Sequence, residues 1–186
     1  MTRQWKAVKQ KDFFIQVKKA DVDDLWLLCS ICRQSYSENF ASHWNDGGLS
    51  WYLENVYGLE AIRSDLVNPD INYFVAYVDD EPAGFMKLKL HSSRSKQSER
   101  SELEIEKLYF RLPFKGKGIG RKLMSMAVQI ARSLDKTIIW LGVIDTNESA
   151  IEFYKKMGFT FYDKVRLDVP YFKDELRGMW RMTLQL

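Results

Sequence analysis

The chain has 186 residues, 46% of them apolar and 28% charged, with a net charge of +3. That is one domain's length with side chains enough for a full core, which excludes wholesale disorder, and the charge is too mild for a globally basic binder of nucleic acid or anionic membrane. The longest apolar run, Ile138 to Ile144, falls far short of the ~20 residues a membrane-spanning helix needs. The first residues carry positive charge but no apolar stretch fit for a secretory signal, so a reducing, cytoplasmic setting is expected.

Residues 1–12 are rich in Lys and Gln without periodicity and read as a loose arm; residues 13–186 read as the domain. Phe13 to Val17 predicts a short strand. Asp21 is a candidate N-cap for a helix that carries Leu25, Leu28, Cys29 and Cys32 on one face. Cys29 and Cys32 form a C-x-x-C inside that helix. Zinc would want two more soft ligands, and His43 and His91 show no ligand spacing with the pair, so the cysteines read as buried structural thiols. A second helical region runs from Leu49 to about Val67, broken near Gly58, and Asn68-Pro69-Asp70 stops it. Residues 71–78 and 83–91 read as strands joined by a turn over Asp79 to Pro82. Residues 92–101 are polar and read as a solvated loop.

A third strand, Glu102 to Phe110, leads into a glycine cluster. From Ile119, Leu123, Met124, Ala127, Ile130, Ala131 and Leu134 recur at helical spacing. Residues 137–144 form an apolar, β-branched run that suits a strand buried on both faces. Asp145 to Asn147 begin another helix, with Gly158 placed as its C′ residue. Strands near 159–165 and 179–184 close a β-α-α-β-β-β-α-β-α-β-β order, a mixed α/β sheet without internal repeat.

Lys115-Gly116-Lys117-Gly118-Ile119-Gly120-Arg121-Lys122 joins a strand to a helix. Glycines let backbone approach a ligand, and a helix N-terminus offers unpaired N–H groups and partial positive charge. Four cations at that end oppose the helix-dipole preference, a local rule broken without structural gain, and a bound polyanion would relieve it. The spacing fits neither a Walker loop nor a dinucleotide fingerprint, since Leu123 stands where the third glycine would. In the next helix Asn147 can act as a cap, and Tyr154 lies two turns on along nearly the same face. Glu104 and Glu106 share one face of the third strand, alternating with Leu103, Ile105 and Lys107.

Together these segments resemble the GNAT N-acetyltransferase superfamily. Lys115-x-x-Gly118-x-Gly120 is similar to its acetyl-CoA signature, with Lys115 where Arg or Gln is usual. Asn147 with A-I-E-F-Y-K-K-M-G-F is similar to its following helix. Residues 103–109, 140–143, Tyr36 to Phe40 and Tyr52 to Glu54 resemble the PaiA-like spermidine/spermine acetyltransferases, while the stretch after Asp163 matches poorly. The resemblance implies a single α/β domain of GNAT fold, a mixed, mostly antiparallel sheet of about seven strands flanked by four helices. It implies acetyl-CoA as co-substrate, no metal, and transfer to a primary amine, such as a polyamine, by direct attack in a ternary complex.

The same resemblance assigns roles. Leu108, Tyr109 and Phe110 would meet the pantetheine arm, and Lys115, Gly116, Lys117, Gly118, Ile119 and Gly120 would hold the pyrophosphate. Asn147 would bond the pantetheine or order its helix, Lys156 would contact a phosphate, and Tyr154 would donate to the leaving sulfur. The base is left between Glu104, Glu106 and a water relay, with Glu104 favoured by family position. Phe40 and Trp44 would line the acceptor. Two rival functions stay open: transfer to a peptide N-terminus or another small amine, and a CoA-binding regulatory or nucleic-acid module without catalysis. A homodimer is left open.

Overall fold

A computed structural model describes residues 13–92, 94 and 101–186; the expected arm at 1–12 and most of the 92–101 loop lie outside them. Seven strands form one sheet in the order β1-β2-β3-β4-β5-β7-β6. They are β1 (Ile15–Lys19), β2 (Ile71–Val78), β3 (Glu81–Lys89), β4 (Glu102–Phe110), β5 (Ile138–Ile144), β6 (Thr160–Arg166) and β7 (Gly178–Gln185). Only β4 and β5 run parallel; every other neighbour is antiparallel. The four expected helical regions are present, the second split at Gly58: α1 (Leu25–Phe40), α2 (Gly48–Tyr57), α3 (Leu59–Val67), α4 (Ile119–Ser133) and α5 (Glu148–Lys156).

Each face of the sheet has its own core. One face packs Met86, Leu88, Leu103, Ile105, Ile139 and Leu141 against Leu123, Met124 and Ala127 of α4 and Ile151 of α5. The other packs Tyr73, Val75 and Phe85 beneath α1, α2 and α3. Burial of one such side chain stabilises by about 1.5–3 kcal/mol. Cys29 and Cys32 lie in this second core as free, buried thiols. Leu134, expected on the α4 stripe, instead sits exposed at the helix C-cap.

Several boundaries move for local reasons. Asp21 does cap a helix start, accepting from Asp23 N at 2.9 Å, but the turn it caps is 3-10 and runs on into α1. Asp79 and Asp80 both take left-handed backbone, φ 49° and 65°, so the β2–β3 turn needs two residues rather than four. Strand β3 therefore starts at Glu81, and Pro82, without an N–H to give, falls beside a register shift. Arg94 belongs to the expected solvated loop, yet its guanidinium bonds buried Glu102 at 2.8 and 3.0 Å and lies over the Tyr162 ring.

Strand β4 carries a bulge that decides where the chemistry goes. Lys87 pairs with Lys107 but Leu88 pairs with Ile105, leaving Glu106 as the extra residue. Parity reverses there. Leu103 and Ile105 face the α4–α5 core, as do Leu108 and Phe110 beyond the bulge. Tyr109 therefore packs with the α1–α3 core, and Lys107 joins Glu106 on that side, against the simple alternation expected from sequence.

The bulged Glu106 is held by Lys87 at 2.9 Å and Lys89 at 3.3 Å, and Lys87 also meets Asp65 at 2.6 Å. Burial raises the Glu106 carboxyl, but Lys107, Lys87 and Lys89 together outweigh it and hold its pKa below the usual carboxylate value. A depressed folded pKa adds stability that is present above the unfolded value and lost as pH falls through the folded one. Glu106→Gln is expected to lower unfolding free energy at pH 7 by ~3–5 kcal/mol, as breaking a buried ion pair does. Denaturant melts at pH 7 and in acid check this: the gap between wild type and variant should shrink as pH drops below the carboxylate range. An unchanged gap would remove the ion-pair origin.

Candidate active site

Strands β4 and β5 pair only from Glu102–Ile138 to Ile105–Leu141. Beyond that both continue, to Phe110 and Ile144, without pairing to each other, and a cavity of about 770 Å³ occupies the split. Its walls come from both cores, Phe114 and Ile119 on one side and Tyr36 and Tyr52 on the other, so it crosses the plane of the sheet. Parallel strands that part at their carboxyl ends are a recurrent ligand position in α/β sheets.

At one end the cavity is basic and glycine-rich. Gly116 and Gly118 have φ +77° and +85°, and no atom stands where a Cβ would be added on either. Gly118 is the N-cap of α4 and supplies no side-chain cap to the helix's first N–H groups. Lys115, Lys117 and Arg121 line the same end and make no ion pair among the described residues. Lys117 rests over the Phe13 and Phe114 rings at 4.3 and 4.9 Å. The fourth cation, Lys122, is turned away and donates to the Ile15 carbonyl.

Helix α5 supplies another wall. Asn147 caps it, its Oδ1 accepting from Ala150 N at 3.2 Å and from Ser149 Oγ at 3.1 Å, and Asn147, Ser149, Ala150, Phe153 and Tyr154 all line the cavity. The Tyr154 ring packs between Phe153 and Phe159, and its hydroxyl has no hydrogen-bond partner among the described residues. Burial pushes this phenol's pKa up, with Tyr109 adding to the shift, so it stands as a protonated donor. Lys156 does not reach the cavity. It lies in the last turn of α5, about 13 Å of helix beyond Asn147.

The other end is aromatic. Tyr36 stacks on Tyr52 with centroids 4.5 Å apart and on Phe40 at 4.9 Å, and Trp44 meets Phe172 edge-on at 4.9 Å. Phe40 and Trp44, expected here, line the cavity with them. Tyr109 closes the wall, its phenol pushed up to about 12 by burial although Lys107 pulls it down. Asn39 spans α1 and β4, donating to the Ser35 carbonyl at 2.7 Å and to the Phe110 carbonyl at 2.8 Å.

Glu104 is not part of this lining. Its carboxylate accepts from Ser92 Oγ at 2.6 Å and faces Lys89 at 3.8 Å, on the paired stretch of β4 before the split. The lining among the described residues contains no Asp, Glu or His at all. Tyr36, Asn39, Tyr52, Lys107 and Phe172 also line the cavity, in addition to the site residues expected from sequence. Among the described residues no helix is long and apolar enough to cross a membrane, and no three metal-ligating side chains converge.

With the geometry in hand, residues 30–159 match the model of the acetyltransferase (GNAT) family. The chain belongs to that family. A spermidine N(1)-acetyltransferase of Thermoplasma acidophilum is 25% identical over 153 residues, 80% of this chain and 90% of the relative. An uncharacterised N-acetyltransferase of Lactobacillus delbrueckii subsp. lactis is 27% identical over 150 residues, 81% of this chain and 85% of the relative. The crystal structure of the PaiA N-acetyltransferase from Thermoplasma acidophilum in complex with coenzyme A superposes with a TM-score of 0.74 at 22% identity, over 93% of this chain and 99% of that one. The protein is thus an acetyl-CoA-dependent N-acetyltransferase with acetyl-CoA as its co-substrate. The residues of this acetyltransferase fit that ligand: a left-handed glycine loop, helix amides that its N-cap glycine leaves without a side-chain cap, three cations with no ion pair among the described residues for phosphates, and a slot through the sheet for a narrow arm.

Proposed function

We propose that this acetyltransferase joins acetyl-CoA and a small primary amine in one ternary complex, with the amine attacking the thioester from the aromatic end. The observation that carries this is the single cavity crossing the sheet, basic at one end and aromatic at the other. Bound acetyl-CoA supplies the activated acyl group; the chain's residues hold and steer it. Lys115, Lys117, Arg121 and the loop amides take the phosphates, and the unpaired edge of β4 at Leu108 to Phe110 offers main-chain groups to the arm. Asn147 fixes the start of α5, and Tyr154 donates a hydrogen bond where negative charge builds on sulfur.

Proton removal from the amine falls to water, since no carboxylate or imidazole among the described residues lines the cavity. Glu104, favoured from sequence, would act only over a distance. A polyamine acceptor, the one the sequence resemblance implies, draws support from the spermidine-acetylating relative and from aromatic faces able to take an ammonium. It draws none from the charge of the wall. A peptide N-terminus is the second reading, the other acceptor the sequence resemblance leaves open. The two buried free thiols suit a cytoplasmic setting.

Free-thiol release from acetyl-CoA, followed against a panel of polyamines, amino acids, aminoglycosides and peptides, tests the reaction. Intersecting initial-rate patterns in the two substrates are expected. Parallel patterns would mean an acyl-enzyme and overturn direct attack.

A further inference from the structure

At the acceptor end of the cavity the one charged side chain among the described residues is a cation, Lys107. The bulge in β4 delivers it there, turned from the α4–α5 core toward Tyr52 and Tyr109. Its side chain is only 16% exposed, and its nearest carboxylate oxygen, on Glu106, is 3.8 Å away, beyond hydrogen-bond length. That carboxylate already takes Lys87 at 2.9 Å and Lys89 at 3.3 Å. Burial acts to discharge the Lys107 ammonium, while the Glu106 carboxylate at 3.8 Å and the Tyr52 hydroxyl, which accepts from it, act to hold it charged, with donors to spare.

A polycation entering this end would meet that ammonium and find no carboxylate among the described residues of the wall. Like charges brought together in a poorly solvated site repel strongly, and such repulsion excludes ligands as effectively as attraction selects them. A carboxylate, by contrast, would find a buried ammonium that Tyr52 engages but that no carboxylate among the described residues approaches within hydrogen-bond length. We propose that the acceptor is a primary amine that also carries a carboxylate, an amino-acid-type molecule, and that Lys107 binds that carboxylate and sets the specificity. The aromatic wall of Tyr36, Phe40 and Tyr52 packs against the carbon chain between the two groups. This rests on the acetyltransferase reading above.

The test uses matched acceptors: lysine with cadaverine, ornithine with putrescine, and each amino acid with its carboxamide, with spermidine alongside. For the intact enzyme kcat/KM should favour the carboxylate member by about ten- to a hundredfold, the worth of a hydrogen bond to a charged group. Lys107→Met should bring that ratio close to one while acetyl-CoA affinity and Tm are retained, and Lys107→Arg should preserve it. Equal turnover of both members, or turnover best with spermidine, overturns the anionic acceptor and leaves the transferase reading standing. A folded Lys107→Met enzyme with the ratio intact overturns the role of Lys107. Should that variant not fold, the wild-type ratios decide. No thiol release with any pair, by protein that binds coenzyme A, overturns the transferase reading and this proposal with it.

Discussion

Gly118→Glu is expected to weaken coenzyme A binding by more than ~10²-fold while the protein still unfolds cooperatively. Gly118 sits at φ +85° as the N-cap of α4, with open space where a Cβ would go. The folded chain therefore bears only the cost of a left-handed L-residue, about 1–2 kcal/mol, which a domain with ~5–15 kcal/mol of stability survives. The new carboxylate would lie against the amides and the positive end of α4, the groups that receive phosphate, and would occupy them from within the chain. A ligand phosphate then loses its charge-assisted bonds, each worth about 1.5–3 kcal/mol, and gains a like charge. Gly118→Ala separates the terms, carrying the same backbone cost without the charge, and should bind at an intermediate level. Calorimetric titration with coenzyme A reads both. Affinity within threefold of wild type in Gly118→Glu would remove the loop from the phosphate site.

The parts of the site that could be read from sequence are those whose geometry is local. Glycines at 116 and 118, the uncapped start of α4, the Asn147 cap and the Asn147–Tyr154 spacing all follow from a few consecutive residues, and all reach the cavity. Lys107 could not be read in this way. Its direction depends on a bulge set by how β4 pairs with β3, and period-two alternation assigns it to the wrong face. Tyr36, Tyr52 and Phe172 share the aromatic end but come from α1, α2 and the connection before β7, which only the folded chain brings together. Glu104 and Lys156 stand outside the lining for different reasons. Alternation gave Glu104 its face correctly, but how far along β4 the partner strand extends decides whether that face is open, and β5 still pairs there. Lys156 lies in the last turn of α5, the end of that helix farther from Asn147.

Tyr154→Phe is expected to lower kcat by ~10²–10⁴-fold, the range for a positioned proton donor, with acetyl-CoA affinity nearly unchanged. The ring makes the packing contacts, with Phe153 and Phe159, and phenylalanine keeps them. What is lost is one hydroxyl that faces the cavity without a protein partner, so no buried acceptor is left unsatisfied. Burial shapes how that hydroxyl acts. A phenol of ordinary pKa near 10 already gives its proton to a thiolate near 8.5 slightly uphill, and burial raises Tyr154 further. Full transfer is thereby disfavoured, and in the proposed role the hydroxyl would stabilise the departing sulfur as a hydrogen bond that strengthens while charge builds, an effect confined to the transition state. The rate of Tyr154→Phe should therefore depend on the leaving group. Acyl donors with more acidic thiols need less help, so the wild-type to variant ratio should shrink with them. A uniform ratio across donors, or a loss confined to KM, would assign Tyr154 to binding; full turnover of the Phe variant would reduce it to a ring in the cavity wall.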